Sequence, residues 1–250
     1  MSATPVLVEI AVESGDGALA AQHGGADRVE LCAALELGGL TPSVGCVAET
    51  LAATNLPVFP IVRVRPGDFV LSRRDVREMV RDIRAFVAEG VAGVVCGAVT
   101  PDGLVDRSAM AELIDAAATL PVTFHRAFDQ VRDPIEGIED LVELGVARVL
   151  SSGGEVDAEI GATNLGRWVQ AAAGRLVMIA GGGVRARNVA GIVRTAGVRE
   201  VHLSAAGTVD GPMRSRTARV DFAVPPRAAW SRRVTLESEV RATLAALTAQ

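Results

Sequence analysis

Short runs of apolar and β-branched residues recur along the chain, and longer stretches between them carry apolar residues at the helical period. The runs predict eight β-strands, at residues 6–12, 28–32, 57–63, 93–99, 121–127, 148–152, 176–180 and 201–205. The stretches between them predict seven helices, at residues 16–25, 43–53, 72–90, 106–120, 133–145, 160–174 and 185–197. The third is the clearest, because one of its faces is apolar and arginines and acidic residues fill the other.

This alternation of strands and helices predicts an α/β fold of the (β/α)8 type, a TIM barrel, as a single domain over residues 1–250. An open doubly wound sheet is the alternative. That fold usually carries a G-x-G-x-x-G turn after its first strand, and "VEIAVESGDGA" lacks one. Residues 206–234, which contain three prolines, are expected to form a long loop before a C-terminal helix at 235–250.

Composition narrows the class of protein. The chain has 250 residues, 49% of them hydrophobic, and a net charge of −5, which suits a globular protein with a full-sized core. We expect no membrane partner and a cytoplasmic location, because no apolar run reaches the ~18 residues of a membrane span and the N-terminus lacks a secretion signal. The acidic balance and the 3% aromatic content argue against a nucleic-acid partner.

The first two predicted strands each carry a glutamate, Glu9 in "VLVEIAV" and Glu30 in "DRVELC". A buried carboxylate is costly unless it is paired. If both side chains point into the barrel, their charges raise the pKa of at least one, and arginines after the third strand would neutralise them. The chain has no tyrosine and no lysine, so acid–base chemistry must come from Glu, Asp, His or Cys.

The polar residues gather where the strands end, which is the catalytic face of such barrels. We therefore predict an acid–base centre, while a buried ion-pair network that only orders the barrel mouth is the alternative. The predicted catalytic residues are Glu9, Glu30, Arg63, His125 and Asp129.

The ends of the seventh and eighth strands, "AGGGV" and "HLSA", fit a phosphate site built from backbone N–H groups. Tight turns that need glycine for backbone geometry are the alternative. We expect a small anionic ligand, phosphorylated or sugar-like. Its predicted binding residues are Arg65, Arg126, Gly181, Gly182, Gly183, His202 and Ser204.

Several longer motifs resemble one family. The segments "GGADRVELCAALELGGLTPSVG", "TPDGLVD", "PVTFHRAFDQVRDP", "RVLSSGG" and "AGGGV" closely resemble the CutC family, named for a proposed role in copper homeostasis. The resemblance runs from the first strand to the loop after the eighth. It implies a TIM barrel, a cytoplasmic location, a homodimer and the handling of Cu(I).

The chain departs from the family pattern at one position of interest. Members often carry E-x-C in both of the first strands, and the two cysteines are the proposed copper ligands. Here Cys32 is kept, whereas Ala11 replaces the other, and Cu(I) usually needs at least two soft donors. The sequence thus leaves two functions open. One is a cytosolic Cu(I)-binding copper homeostasis protein with Cys32 as metal ligand, and the other is a metal-independent barrel enzyme acting on a small anion.

Overall fold

The computed structural model describes residues 5–217, 219 and 230–248, and eight parallel strands form its centre. The strands are β1 (Leu7–Val12), β2 (Arg28–Leu31), β3 (Val58–Pro60), β4 (Val94–Cys96), β5 (Val122–Phe124), β6 (Arg148–Ser151), β7 (Val177–Gly181) and β8 (Glu200–Leu203). The helices are α1 (Gly15–Gly24), α2 (Val44–Ala53), α3 (Arg73–Glu89), α4 (Arg107–Ala117), α5 (Pro134–Glu143), α6 (Ala162–Ala172), α7 (Val189–Ala196) and α8 (Glu237–Thr248). Every predicted strand and helix is present, most of them shorter by a few residues.

The eight strands close into a barrel. Their order is β3-β2-β1-β8-β7-β6-β5-β4, so neighbours in sequence are neighbours in space. The two ends meet through a parallel bridge between Ile61 and Val95, and the Val62 N–H donates to the Val95 carbonyl at 2.7 Å. The (β/α)8 prediction is confirmed, and the open-sheet alternative is wrong.

Side chains alternate between the two faces of each strand, and the faces differ in chemistry. Val8, Ile10 and Val12 belong to the main apolar core that the strands share with the helices. The barrel interior holds a much smaller apolar group, formed by Cys32, Phe59, Ile61 and Val95. The interior also holds buried polar residues, among them Glu9, Arg28 and Glu30.

Helix ends follow local sequence signals. Ser72 and Asp75 form a reciprocal capping box at the start of α3, and Gly90 ends that helix in the left-handed region with φ of 85°. Asp133 caps α5, whose first residue is Pro134. No helix in the described part of the chain has both the length and the hydropathy to cross a membrane.

The expectation of one long loop over residues 206–234 is wrong at both ends of the segment. Strands β9 (Ala206–Asp210) and β10 (Ser231–Thr235) pair antiparallel as a two-stranded ribbon beside the barrel mouth. Two of the prolines on which that expectation rested, Pro225 and Pro226, lie outside the described residues. The predicted C-terminal helix is present as α8, whose Val240 is buried against α1.

Candidate functional site

Glu9 lies inside the barrel between two partners on neighbouring strands. The register places it beside Arg28 on β2 and His202 on β8. Arg28 Nε donates to one carboxylate oxygen, and His202 Nδ1 lies 2.7 Å from the other. Burial raises the pKa of Glu9, but the His202 hydrogen bond and the charge of Arg28 outweigh it and hold that pKa at about 2. Glu9 is thus a permanent anion that orients the His202 ring, with the Nδ1 proton facing it.

His202 joins Glu9 to Glu30. Its Nε2 lies 3.5 Å from a carboxylate oxygen of Glu30. Burial lowers the pKa of His202, but the charge of Glu30 and the hydrogen bond to Glu9 raise it above its usual value. Burial raises the pKa of Glu30, and the Glu9 anion adds to that rise. His202 and Glu30 therefore form a couple in which both pKa values lie above their ordinary values.

The expectation that Arg63 neutralises the glutamates is wrong, because Arg28 holds that place. Arg63 instead donates to three backbone carbonyls, those of Leu37 at 3.1 Å, Gly39 at 3.3 Å and Gly67 at 3.0 Å. Its guanidinium also lies over the Phe69 ring, 4.9 Å from the centroid. Arg63 thus orders the loops after β2 and β3 while it faces the pocket.

A second layer of ion pairs lies below the Glu30–His202 couple. Arg28 Nη2 donates to Glu200 at 2.6 Å, and Arg148 Nε is 3.4 Å from the same carboxylate. The Phe59 ring is within 5.1 Å of the Arg28 guanidinium and 5.4 Å of that of Arg148. These ion pairs support the couple from beneath.

The couple opens into a cavity of about 280 Å³ at the carboxyl ends of the strands, here called the mouth pocket. Of the predicted site residues, the mouth pocket is lined by Glu30, Arg63, His125, Arg126, Gly182, Gly183, His202 and Ser204. Two arginines that the sequence did not single out, Arg185 after β7 and Arg233 on β10, also line it. Arg233 donates to the Ser204 hydroxyl at 2.7 Å.

His125 lines the mouth pocket as a neutral imidazole. Burial and the nearby charge of Arg63 lower its pKa to about 3. Its Nδ1 accepts a hydrogen bond from the Ala127 N–H at 3.2 Å, so the ring proton is on Nε2. No described residue accepts a hydrogen bond from that Nε2, although the side chain is buried.

The glycines after β7 have the backbone geometry of the tight turn that was one of the two predictions for their motif. Gly182 and Gly183 have φ of 96° and 70°, values that disfavour other residues. A Cβ on Gly182 would also lie 3.2 Å from the Arg126 guanidinium. Within the described chain, no group accepts from the backbone N–H of Gly182, Gly183 or Val184. The turn therefore needs glycine and also presents free donors at the pocket.

Several predicted site residues lie outside the lining of the mouth pocket. These are Glu9, Cys32, Arg65, Asp129 and Gly181. Asp129 accepts hydrogen bonds from the hydroxyl and backbone N–H of Ser152 at 3.0 Å and from Arg126 Nε at 2.8 Å. It thus orders the turn after β6 and holds Arg126. Arg65 turns away to Asp68, at 3.0 Å.

The thiols do not form a set suited to copper. Burial and the charge of Glu30 raise the pKa of Cys32 far above its usual value, and its thiol donates to Glu30 at 3.6 Å. Cys96 belongs to the core under the helices, and the half-buried Cys46 donates to the Glu13 carbonyl at 3.8 Å. The described residues contain no group of three or more His, Cys, Asp or Glu side chains that would hold a metal ion.

Comparisons with known proteins agree with the motifs. The model of the CutC family matches residues 6–207. The chain is 42% identical over 219 residues to the human copper homeostasis protein cutC homolog, covering 88% of this chain and 80% of that protein. It is 45% identical over 227 residues to a family protein CutC of Caulobacter vibrioides, covering 90% and 92%. The chain belongs to the CutC family.

Solved structures support the same assignment. CutC from Streptococcus agalactiae superposes with a TM-score of 0.76 at 31% identity, covering 80% of this chain and 98% of that chain. A thiamine phosphate pyrophosphorylase from Pyrococcus furiosus shares the fold alone, with a TM-score of 0.59 at 13% identity over 98% and 96% of the chains. The fold and family that the motifs predicted are therefore confirmed.

Proposed function

We propose that the mouth pocket binds a small anionic organic molecule and exchanges a proton with it through the Glu30–His202 couple. The observation that carries this proposal is the bridge from Glu9 through His202 to Glu30, in which one carboxylate fixes the histidine and the other faces the pocket. A carboxyl group whose pKa is raised toward neutrality is suited to taking a proton and returning it. Glu9 serves as the positioning residue of the couple.

The charge of the pocket supports an anionic ligand. Four arginines line it, which are Arg63, Arg126, Arg185 and Arg233, against the single carboxylate of Glu30. The free backbone N–H groups after β7 and the Ser204 hydroxyl add donors that suit phosphate or carboxylate oxygens.

Membership of the CutC family places the chain among relatives named for copper homeostasis. A Cu(I) site at Cys32 is the second candidate, favoured by that membership and by the position of the thiol beside Glu30. The high pKa of the thiol and the alanine at position 11 weigh against it, because Cu(I) binds thiolates and prefers two soft donors. A role in copper homeostasis is compatible with an enzyme that binds no copper itself.

A set of substitutions separates the two candidates. Small phosphorylated and sugar-acid compounds are screened by thermal shift, and the compounds that stabilise the protein are assayed for turnover. Glu30→Gln and His202→Asn should each lower that turnover by about 10²-fold or more, whereas Cys32→Ser should keep it. Cu(I) titration of the reduced protein against a chelator runs in parallel.

Turnover that survives both Glu30→Gln and His202→Asn would contradict the proton-transfer function. A tight one-to-one Cu(I) complex that Cys32→Ser abolishes would establish the copper site instead. Cu(I) binding no tighter in the wild type than in Cys32→Ser would remove that candidate.

We further propose that the protein is a cytoplasmic homodimer, as the family resemblance implies. Two exposed apolar residues on the loop after β6, Val156 and Ile160, support an interface between copies. Sedimentation of the wild type and of Val156→Asp tests this proposal. A wild type that sediments as a monomer would contradict it.

A further inference from the structure

His125 and the Glu30–His202 couple face the same cavity. His125 is a neutral imidazole that carries its proton on Nε2, whereas Glu30 is a carboxyl group whose pKa burial raises above its ordinary value. A pocket with both groups has a hydrogen-bond donor for one atom of a ligand and a base for another.

The unpartnered Nε2–H of His125 indicates a missing acceptor. His125 is 4% exposed, and a buried N–H without a partner destabilises the folded protein. A ligand oxygen in the mouth pocket would satisfy it. Because the imidazole is neutral, it donates its proton in a hydrogen bond to an oxygen that gains negative charge, without losing that proton first.

The His125 ring is held in place by its surroundings. Gly97 on the neighbouring loop has no side chain, and a Cβ there would lie 2.6 Å from His125 Nδ1. The Phe69 ring packs with its centroid 5.0 Å from the imidazole. The donor is thus fixed before any ligand arrives, which is the condition for electrostatic stabilisation of a developing charge.

Besides His125, the mouth pocket is lined by a second set of hydrogen-bond donors. Arg233 and Arg185 line the pocket together with the free N–H groups of Gly182 and Gly183. Arg233 is fixed by its hydrogen bond to the Ser204 hydroxyl. Two guanidinium groups and backbone donors suit a phosphate dianion better than a single carboxylate.

Resting on the function proposed above, we propose that the substrate is a small phosphorylated carbonyl compound and that the pocket catalyses its enolisation. The Glu30 carboxylate takes the proton from the carbon next to the carbonyl. The electron pair of that C–H bond forms the new C=C bond, and the C=O π pair moves onto the oxygen, which accepts from His125 Nε2–H. Return of the proton from Glu30 to carbon restores the carbonyl, so no oxidant or reductant is needed.

Binding of a stable enediolate mimic tests the role of His125. Phosphoglycolohydroxamate and inorganic phosphate are titrated calorimetrically into the wild type. The hydroxamate should bind at least tenfold more tightly than phosphate. His125→Leu should remove at least tenfold of that affinity and leave phosphate binding unchanged. His125→Gln keeps an N–H donor near the place of Nε2 and should restore most of the hydroxamate affinity.

Ligand binding by arginine variants and a deuterium-exchange assay complete the test. Arg233→Met should weaken both ligands at least tenfold, whereas Arg81→Met on the outer helix α3 should weaken neither. Dihydroxyacetone phosphate in D₂O should gain deuterium at carbon in the presence of the wild type, at a rate that Glu30→Gln lowers at least 100-fold. Circular dichroism of each variant verifies the fold.

The outcomes separate the inference from the function on which it rests. The enolisation chemistry would be overturned if the hydroxamate binds no more tightly than phosphate, or if its affinity is unchanged in both His125 variants. Phosphate binding that still depends on Arg233 would in that case leave the anion site standing. Absence of binding by both probes would overturn the anion site as well.

Discussion

His125 and His202 face the same pocket, yet their pKa values move in opposite directions. Arg63 is the charged neighbour of His125, so positive charge adds to burial and lowers its pKa to about 3. His202 lies between Glu9 and Glu30, whose negative charges overcome the effect of burial and raise its pKa. The charge of the nearest partner thus decides which histidine has a lowered pKa and which has a raised one.

The low pKa of His125 predicts a loss of stability in acid. Between its unfolded pKa near 6.5 and its folded pKa of about 3, the unfolded state binds the proton and the folded state does not. The free energy of unfolding therefore falls as pH falls through this window, by up to about 1.4 kcal/mol per pH unit from this residue. His125→Asn removes that slope, so the stability difference between wild type and variant should shrink by about 2 kcal/mol from pH 6.5 to 4.5.

Urea unfolding at a series of pH values measures this difference. Thr123→Val is the matched control, because it changes a buried polar residue on β5, the strand that His125 follows, without removing a titratable group. Its effect on the free energy of unfolding should be the same at every pH. If the His125→Asn difference is equally constant, the imidazole is not held neutral in the folded state.

The periodicity of the sequence predicts which side chains of a strand point into the barrel, but it does not predict the residues with which they pair. Strand alternation placed Glu9 and Glu30 inside the barrel, and both are there. The pairing of Glu9 with Arg28 depends on the offset between β1 and β2, which no local pattern encodes. Arg28 has the same parity as Glu30, so the strand pattern held a signal that it also points inward.

At the scale of elements, α8 packs on α1 so closely that one glycine is required. A Cβ on Gly24 would lie 2.5 Å from Val240 Cβ and 3.1 Å from the Glu237 carbonyl oxygen. Gly24→Ala should therefore move α8 and lower the free energy of unfolding by about 1–3 kcal/mol. Gly191 in α7 has only the Arg194 guanidinium near it, at 3.9 Å, so Gly191→Ala should raise stability by about 0.5–1 kcal/mol. The urea midpoints of the two variants measure whether their stabilities change in opposite directions. If Gly191→Ala also destabilises the protein, helix packing does not distinguish the two positions.

The elements differ in how well the sequence predicts them. The barrel strands and helices have strong local signals, since apolar runs and helix caps define their ends. The β9–β10 ribbon has weak ones, because none of its residues is fully buried and its two strands are separated by a long connection. Arg233 reaches the mouth pocket on this ribbon, which explains why its role was not predicted.

At the scale of the whole molecule, the ribbon connects the barrel to its last helix. β9 begins three residues after β8, and the Leu236 N–H donates to the Ala205 carbonyl at 2.8 Å just before α8. Thr235 of β10 lies against α1, where a Cβ on Gly17 would be 3.2 Å from its hydroxyl. The ribbon is thus held to the barrel at one end, where Ala206 of β9 pairs with Thr235 of β10.

This arrangement predicts that the barrel and the ribbon unfold together. The chain has two tryptophans, and Trp168 packs on Phe128 in the core, whereas the Trp230 carbonyl accepts from Gly211 at the ribbon's far end. In Trp168→Phe the fluorescence reports only Trp230. The urea transition of Trp230 fluorescence should coincide with that of far-UV circular dichroism in the same variant, because the ribbon cannot separate from the barrel without freeing α8 from α1.

In Trp230→Phe the fluorescence reports only the core, and its urea transition should again coincide with that of circular dichroism. A Trp230 transition at lower urea than the circular dichroism would show that the ribbon opens on its own, and Arg233 would then leave the mouth pocket while the barrel stays folded.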